Sequence, residues 1–358
     1  QAIQYPLVLS AEQYRLWLLH QGNPNAAYNI PLVIRFHREF TGEAIDRALH
    51  QLLSAHASLR MRFVEQGGTV LQLPVAVSEL AVAVRDIESA ALPAEIAAES
   101  NRCFRLDEQA CAISRLCLDN GQQVLLFNIH HICFDGQSIT PLMNAFAHAL
   151  EGRELSENTS FEHFVLWQQG EAYAAQHASD MAFWQEKLEH VAQTTSLPSD
   201  LSAEMGTQSA QFEYALNEQD CRGVSAMCTK LGITEFSFWF ALVSLVLGRL
   251  NNTRDVILAT PVANRLRAND QDGVGFYANT LMLRQAWQES ASLGTLLLAT
   301  QEMVTDSMIH QSASLDKLMA SLKQNNAMAV DVFSEVLFTV SQEHTAAPWQ
   351  ETLSLSTG

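Results

Sequence analysis

The feature that most constrains the fold is an apolar run, VLLFNI at residues 124–129, which leads into a polar turn and then a helical pattern. Near-continuous apolar sequence with β-branched and aromatic members is typical of a strand buried on both faces. Beyond the turn, apolar residues recur at helical spacing from Leu142 onward, behind Pro141, which the first turn of a helix tolerates. This succession of strand, turn and helix predicts an α/β fold.

Further patterns predict two α/β lobes, and a length of 358 residues allows two domains. Residues 41–55 have helical periodicity behind a Thr41 cap, and residues 59–73 alternate like a hairpin around Gly67 and Gly68. In the second lobe we expect a strand at 209–215, two helices within 217–250, a strand at 256–261 and a helix at about 290–310. The predicted organisation is an N-terminal lobe at 1–193, a linker at 194–209 and a C-terminal lobe at 210–358.

The acidic charge balance excludes several function classes. Asp plus Glu number 39 and Lys plus Arg 21, which leaves a formal charge of −18. Surfaces that bind nucleic acid or anionic membranes need clustered cations, so neither partner is expected. The apolar stretch at 236–247 is shorter than the ~20 residues that span a bilayer and is interpreted as a buried core helix. The opening residues lack the pattern of a secretory signal, so we expect a cytoplasmic protein and a fragment of a longer chain.

The six cysteines predict neither a disulfide framework nor a metal site. None forms a CxxC pair, and the group Cys103, Cys111 and Cys117 has no matching histidine cluster. We expect reduced structural thiols and no bound metal.

The segment HHICFDG at residues 130–136 carries the candidate chemistry. If the strand register continues, His130 and His131 point to opposite faces, so only one can reach a given cleft. Gly136 follows Asp135 in a turn, where its N–H could donate to a developing oxyanion. Histidine accepts protons near neutral pH, and no serine elbow or reactive cysteine accompanies the pair. Direct attack of an acceptor on an activated acyl group fits these residues, although periodicity leaves a purely structural role for both histidines open.

HHICFDG resembles the HHxxxDG motif of the condensation domains of nonribosomal peptide synthetases, which have the chloramphenicol acetyltransferase-like fold. Other segments resemble further motifs of that family, in the same order. They are LSAEQYRLWLL (9–19, like SxAQxRLW), HASLRMRF (56–63, like RHExLRTRF), FEHFVLW (161–167, like YxDFAxW), TPVANR (260–265), VGFYANTLMLR (274–284, like IGxFVNTxxLR), HQSASLDKL (310–318) and VFSEVLFTV (332–340). The resemblance covers nearly the whole chain.

The resemblance implies two lobes forming a V with a central tunnel, the second lobe being incomplete at its C-terminus. Donor and acceptor peptidyl carrier proteins would bring substrates on 4'-phosphopantetheine, beside adjoining synthetase domains, and the domain itself would bind no cofactor. The acceptor amine would attack the donor thioester to form a peptide bond. His131 is implied as catalytic, either removing the amine proton or positioning the amine, with Gly136 close to the thioester.

Other residues of the family pattern are implied to shape the site. His130 is implied as structural, and Asp135 as a buried salt-bridge partner, because a buried carboxylate needs a cation. The candidates for that cation are Arg60, Arg62, Arg265 and Arg284, of which Arg62 is favoured. Four residues are candidates for lining the tunnel: Ser10, Tyr277, Asn279 and Thr280. For Asn279 and Thr280, local hydrogen bonding at a strand end is an equal alternative.

Several departures from the family pattern bear on subtype and substrate. The residues that differ are Ala55, Ala57, Gln137, His163, Ser312, Ser314 and Leu315. None lies within HHxxxDG. The alternatives to a peptide-bond-forming domain are a non-catalytic recruitment module, an epimerization domain, a heterocyclization domain and a stand-alone acyl-CoA acyltransferase. The intact histidine pair and the other motifs favour peptide-bond formation.

Overall fold

The computed structural model describes residues 3–197, 211–325, 332–341 and 347–357. These residues form ten strands and ten α-helices. The strands are β1 (Leu7–Val8), β2 (Asn29–Phe36), β3 (Met61–Gln66), β4 (Thr69–Pro74), β5 (Val82–Ile87), β6 (Cys111–Leu118), β7 (Gln123–His130), β8 (Asp255–Val262), β9 (Asn279–Ala286) and β10 (Leu353–Thr357). The helices are α1 (Ala11–Gly22), α2 (Gly42–Ala55), α3 (Leu92–Ser100), α4 (Ile139–Leu150), α5 (Ser160–Gln168), α6 (Glu171–Leu188), α7 (Glu218–Leu231), α8 (Glu235–Leu250), α9 (Leu293–Ile309) and α10 (Leu315–Gln324).

The chain divides into two units, each assembled from separate stretches of sequence. The first unit contains Gln1–Ala174, Ala263–Ala278 and Glu343–Gly358, and the second contains Ala175–Val262 and Asn279–Gln342. The predicted lobes, in contrast, are each continuous in sequence. Their boundaries at 193 and 210 stay a prediction, because residues 198–210 lie outside the described part of the chain.

The first unit is built around a five-stranded sheet with β7 at its centre. The strand order is β10-β2-β7-β6-β5, and only the β5–β6 pair is parallel. Alternate β7 side chains enter two different apolar clusters: Leu125 and Phe127 pack with α2 and α4, whereas Val124 and Leu126 pack with Leu92 of α3. The prediction of a strand buried on both faces is confirmed, and it explains the continuous apolar run.

Two local predictions in the first unit are also confirmed. Helix α2 begins after Thr41, whose hydroxyl accepts a hydrogen bond from the Ala44 N–H. Strands β3 and β4 form the predicted hairpin, and β1 extends it to three strands. Its turn contains Gly67 and Gly68 at φ of 61° and 80°, a backbone conformation that glycine adopts without steric cost.

The second unit pairs β8 with β9 in antiparallel register and packs α8 and α9 against them. The apolar stretch at 236–247 forms the main part of α8, which buries Phe240 and Leu247 and confirms the prediction of a core helix. The strand predicted at 209–215 is wrong over residues 211–215, which have no regular structure. Phe212 and Tyr214 alternate with polar residues as in a strand, but they are 90% and 79% exposed and have no partner strand among the described residues.

Within the described residues, no single helix has the length and apolarity needed to cross a membrane. Helices α7 and α8 meet the length and composition criteria only when taken together across a bend of 107°.

Candidate active site

The site begins where β7 ends and the chain makes a tight turn. Strand pairing stops at His130, and His131, Ile132 and Cys133 form one turn of 3-10 helix. The His131 N–H donates to the Tyr28 carbonyl at 2.8 Å, and the Ile132 N–H donates to His130 Nδ1 at 3.1 Å. These bonds fix the main chain from which both histidine side chains project.

The two histidines have different surroundings, as the sequence predicts. His130 is fully buried, with its ring against those of His20 and Phe104. Burial lowers the pKa of His130 to about 3, and the nearby charges of His20 and His131 act in the same direction. His130 is therefore a neutral hydrogen-bond acceptor within the turn.

His131 is half-buried, and its ring meets the ring of Phe276 edge-on at a centroid distance of 5.0 Å. Its Nδ1 is buried and has no hydrogen-bond partner among the described residues. The imidazole is thus held by packing and by the main chain of its turn, and no carboxylate in the described part of the chain orients it as in a catalytic triad.

The Asp135 carboxylate is buried and accepts five hydrogen bonds. Its Oδ1 accepts from the Ser138 N–H at 3.0 Å, the Ser138 hydroxyl at 2.9 Å and Arg265 Nη2 at 2.8 Å. Its Oδ2 accepts from the N–H groups of Tyr277 and Ala278 at 3.0 and 3.3 Å. A carboxylate engaged in this way has no capacity left to act as a second base.

Arg265 is the salt-bridge partner of Asp135, so the favoured choice of Arg62 is wrong. Arg62 lies on β3, and its Nε has no partner among the described residues. Arg265 precedes Tyr277 and Ala278 within the stretch 263–278, and its Nη1 donates to the carbonyls of Asp270 and Gly273 at 2.6 and 2.7 Å. One short stretch of chain therefore supplies both the cation and the two N–H donors for Asp135.

Two glycines at the site serve different purposes. Gly136 is exposed, and a Cβ built on it meets no protein atom within 4 Å. A Cβ on Gly275 would lie 2.3 Å from the Phe161 ring. The Gly275 N–H also donates to the Ser138 hydroxyl oxygen at 3.1 Å, and the Gly275 carbonyl lies 2.9 Å from the same oxygen. Gly136 leaves open space beside the turn, whereas Gly275 permits close packing behind it.

Sequence reasoning missed the roles of Ser138 and Gly275. The signal for Ser138 was present, because Asp followed three residues later by Ser is a turn pattern in which the carboxylate accepts from the later N–H. The closeness of Gly275 to Phe161 had no local signal, since these residues are far apart in sequence.

The candidates for lining a tunnel lie in other surroundings. Ser10 is fully buried and caps α1, accepting a hydrogen bond from the Gln13 N–H at 3.0 Å. Tyr277 is fully buried among aromatic rings, and the Arg265 guanidinium lies 4.1 Å from its centroid. Neither residue lines open space, so these two predictions are wrong: one side chain satisfies a helix end and the other fills a core.

Asn279 and Thr280 begin β9 in the second unit. Asn279 Nδ2 donates to the carbonyls of Gln311 and Ala313 at 2.9 and 2.8 Å. The Thr280 N–H donates to Asn279 Oδ1 at 2.8 Å. The contact between Asn279 and Thr280 is local, whereas the carbonyls that Asn279 Nδ2 binds belong to residues more than 30 positions away. Whether Asn279 and Thr280 line a tunnel stays a prediction.

The nearby cysteines are unsuited to nucleophilic catalysis. Cys133 is buried in the turn after His131, and burial raises the pKa of its thiol well above the usual range. Burial likewise raises the pKa of Cys111 to about 12. The turn therefore presents a half-buried imidazole and an exposed glycine, while its carboxylate and its thiol are buried.

Comparison with known proteins places this geometry in a family. The family model of the condensation domain matches residues 3–357. A linear gramicidin synthase chain of Brevibacillus parabrevis is 26% identical over 368 residues, covering 98% of this chain and 7% of that protein. Phosphinothricin tripeptide synthetase PhsC of Streptomyces viridochromogenes is 26% identical over 362 residues, covering 96% of this chain and 33% of that protein. The chain thus spans about a third or less of these relatives.

Solved structures show the same fold at low sequence identity. The X-domain from teicoplanin biosynthesis has a TM-score of 0.83 and 18% identity over 100% of this chain and 83% of that chain. The first condensation domain of the calcium-dependent antibiotic synthetase, in complex with a substrate analogue, has a TM-score of 0.77 and 17% identity over 99% of this chain and 85% of that chain. The predicted mixed α/β, chloramphenicol acetyltransferase-like fold is confirmed, and this chain belongs to the condensation domain family of nonribosomal peptide synthetases.

Proposed function

We propose that this domain forms a peptide bond between an acyl or aminoacyl thioester on a donor carrier protein and the amine of an aminoacyl thioester on an acceptor carrier protein. Both substrates would be attached through 4'-phosphopantetheine, and adjoining synthetase domains would supply the carriers. The support is the family membership together with the multidomain synthetases among the relatives. The domain itself would hold no cofactor.

The proposed reaction needs no covalent intermediate on the enzyme. The acceptor nitrogen attacks the thioester carbon, the C–N bond forms, and the C–S bond breaks. The proton lost by the nitrogen passes to the leaving sulfur by way of the His131 ring, or His131 positions the amine for the same transfer. The Gly136 N–H would donate to the oxygen that becomes negative during attack.

The observation that carries the proposal is the contrast between His131 and the groups around it. His131 is half-buried, while Asp135 accepts five hydrogen bonds and Cys133 is a buried thiol. Among the side chains of His131, Cys133 and Asp135, only the imidazole is partly exposed. General acid–base assistance by such a group is typically worth ~10²- to 10⁴-fold in rate.

The test is a single-turnover reaction between aminoacylated donor and acceptor carrier proteins, read by intact-protein mass spectrometry. We expect a dipeptidyl product from the parent chain and a rate ~10²- to 10⁴-fold lower in His131→Ala. His190→Ala is the control, because its ring is 77% exposed and it lies in the second unit.

Three outcomes are informative. Equal product from the parent and His131→Ala would show that His131 is not the acting group. A folded parent that binds carriers without forming product would favour the recruitment module instead. Product from the parent and His190→Ala, with a large loss only in His131→Ala, supports the proposal.

A further inference from the structure

A buried side-chain amide of α1 donates a hydrogen bond to the turn that contains His131. Gln13 is fully buried, and its Nε2 donates to the Ile132 carbonyl at 3.0 Å. Ile132 is the residue directly after His131. Its N–H is already held by His130 Nδ1, so both main-chain polar groups of Ile132 are bound by buried side chains.

A second buried amide fixes the orientation of the first. Gln13 and Gln72 of β4 pair reciprocally, with N–O distances of 3.1 and 2.8 Å, and Gln72 Nε2 also donates to the Val8 carbonyl at 2.9 Å. Gln13 Oε1 accepts in addition from the Ser10 N–H at 3.1 Å. Every hydrogen-bonding group of the Gln13 amide is therefore in use, which leaves one orientation with the donor facing Ile132.

We propose that Gln13 is a positioning residue for His131, a role that rests on the proposed function of this site. A buried carbonyl that loses its hydrogen-bond donor destabilises the conformation that holds it. The three-residue turn can offer the Ile132 carbonyl a new donor by rotating its peptide groups. Such a rotation displaces His131. Displacements of about 1 Å at a reacting group typically cost ~10²-fold in rate.

Gln72 provides the matched control. Gln13→Met and Gln72→Met both remove the amide pair and keep a side chain of similar length. Gln72→Met also frees the Val8 carbonyl, whereas Gln13→Met also frees the Ile132 carbonyl and the Ser10 N–H. Only Gln13→Met removes the contact to Ile132. A shift of the His131 ring signal in Gln13→Met but not in Gln72→Met therefore reports the contact with Ile132, because Ser10, the other group that Gln13→Met frees, lies at the start of α1 and not in the turn.

The experiment measures two properties of this full chain and its variants. The first is the single-turnover rate as a function of acceptor concentration. The second is the NMR signal of the His131 ring, identified by its disappearance in His131→Ala. We expect Gln13→Met to lower the saturating rate ~10- to 100-fold with less than about twofold change in the half-saturating concentration, and to shift the His131 signal. In Gln72→Met we expect a rate within about threefold of the parent and an unshifted signal.

Equal rate losses in the two variants, or an unshifted His131 signal in Gln13→Met, would overturn the proposal and leave Gln13 as a packing residue. Should Gln13→Met not fold, Gln13→Glu serves in its place, because it keeps an oxygen facing Ser10 and Gln72 and removes the amide donor to Ile132, although it also introduces a buried carboxyl group. A parent that forms no product refutes the proposed function, and the ring signal then decides the positioning role by itself.

Discussion

The turn after β7 holds two neighbouring histidines that differ in burial: His130 is fully buried and His131 is half-buried. His130 is enclosed by His20, Phe104 and Tyr28, and its pKa is lowered to about 3. His131, one residue later, is half-buried beside Phe276, and one of its ring nitrogens has no partner among the described residues. The buried side supplies a neutral acceptor for the main chain, and the other side leaves an imidazole half-exposed. Burial, rather than residue type, distinguishes the two histidines.

The sharpest test of this contrast replaces each histidine with asparagine. His131→Asn should lose ~10²- to 10⁴-fold in condensation rate, because the proton acceptor is gone. His130→Asn should lose at most about tenfold, because the amide oxygen can accept from the Ile132 N–H as Nδ1 does. Single-turnover rates measure both. Equal losses would remove the distinction between the two sides.

A second test compares a buried ion pair with a more exposed one. The Asp135 and Arg265 side chains are 2% and 4% exposed, whereas Asp255 and Arg284 are 33% and 24% exposed. Asp135→Asn should lower the free energy of unfolding by ~3–5 kcal/mol, because it leaves a buried guanidinium without its partner. Asp255→Asn should cost about 1 kcal/mol or less. Urea unfolding measures both, and similar losses would mean that the Asp135 site is not a buried anchor.

The lowered pKa of His130 predicts a pH dependence of stability. Its folded value of about 3 lies below the usual 6.5, so the unfolded chain binds more protons between these values. The contribution of neutral His130 is complete above about pH 6.5 and is lost as the pH falls toward 3. For His130 alone the difference between pH 7 and pH 5 is about 2 kcal/mol, which His130→Asn should remove. The buried His56, whose pKa is lowered to about 4, contributes separately and stays in both proteins.

The measurement is urea unfolding at both pH values, with His190→Asn as the control. The exposed His190 has φ of 57°, a conformation that asparagine tolerates, so its replacement should leave the pH dependence unchanged. A His130→Asn variant that loses as much stability as the parent between pH 7 and pH 5 would contradict this assignment.

The smallest expected effect on stability is at Gly136. Gly136→Ala adds a methyl group where no protein atom lies within 4 Å, so the free energy of unfolding should change by less than about 0.5 kcal/mol. Gly275→Ala would place a Cβ 2.3 Å from Phe161 and should cost ~1–3 kcal/mol. If Gly136 lies beside the thioester, its alanine variant should lose about tenfold in rate, equivalent to ~1.4 kcal/mol of barrier. Thermal unfolding and single-turnover rates measure these effects, and an unchanged rate in Gly136→Ala would separate that glycine from the chemistry.

Local patterns predicted the elements of this fold well. The apolar run of β7, the cap of α2 and the double glycine of the hairpin each determine structure within a few residues of themselves, so their signals are present in short windows of sequence. The strand register on which the opposite placement of His130 and His131 was predicted ends at His130, so their different surroundings arise from the turn and not from strand alternation. The strand expected at 209–215 is wrong over residues 211–215, because alternation leads to a strand only where a partner strand is present, and these residues have none among those the structure describes.

Contacts between residues that are far apart in sequence could not be predicted from local patterns. Arg62 and Arg265 are both arginines in family-like motifs, and nothing in their local sequence tells which one reaches Asp135. Ser10 lies in a motif near the site by resemblance, yet its hydroxyl is needed at the end of α1. The Gln13 contact with Ile132 joins positions 119 residues apart and is visible only in three dimensions.

The stretch 263–278 has a consequence for recombination. Because it belongs to the first unit while the residues on either side belong to the second, a hybrid made by joining two related domains at one point between residues 175 and 262 takes Asp135 from one parent and Arg265 from the other. In such a hybrid the two residues of the Asp135–Arg265 ion pair come from different parent proteins and have not evolved together. A hybrid that takes residues 263–278 from the same parent as residues 1–174 keeps both residues of the ion pair from one protein. Natural recombination between synthetase genes would be subject to the same constraint.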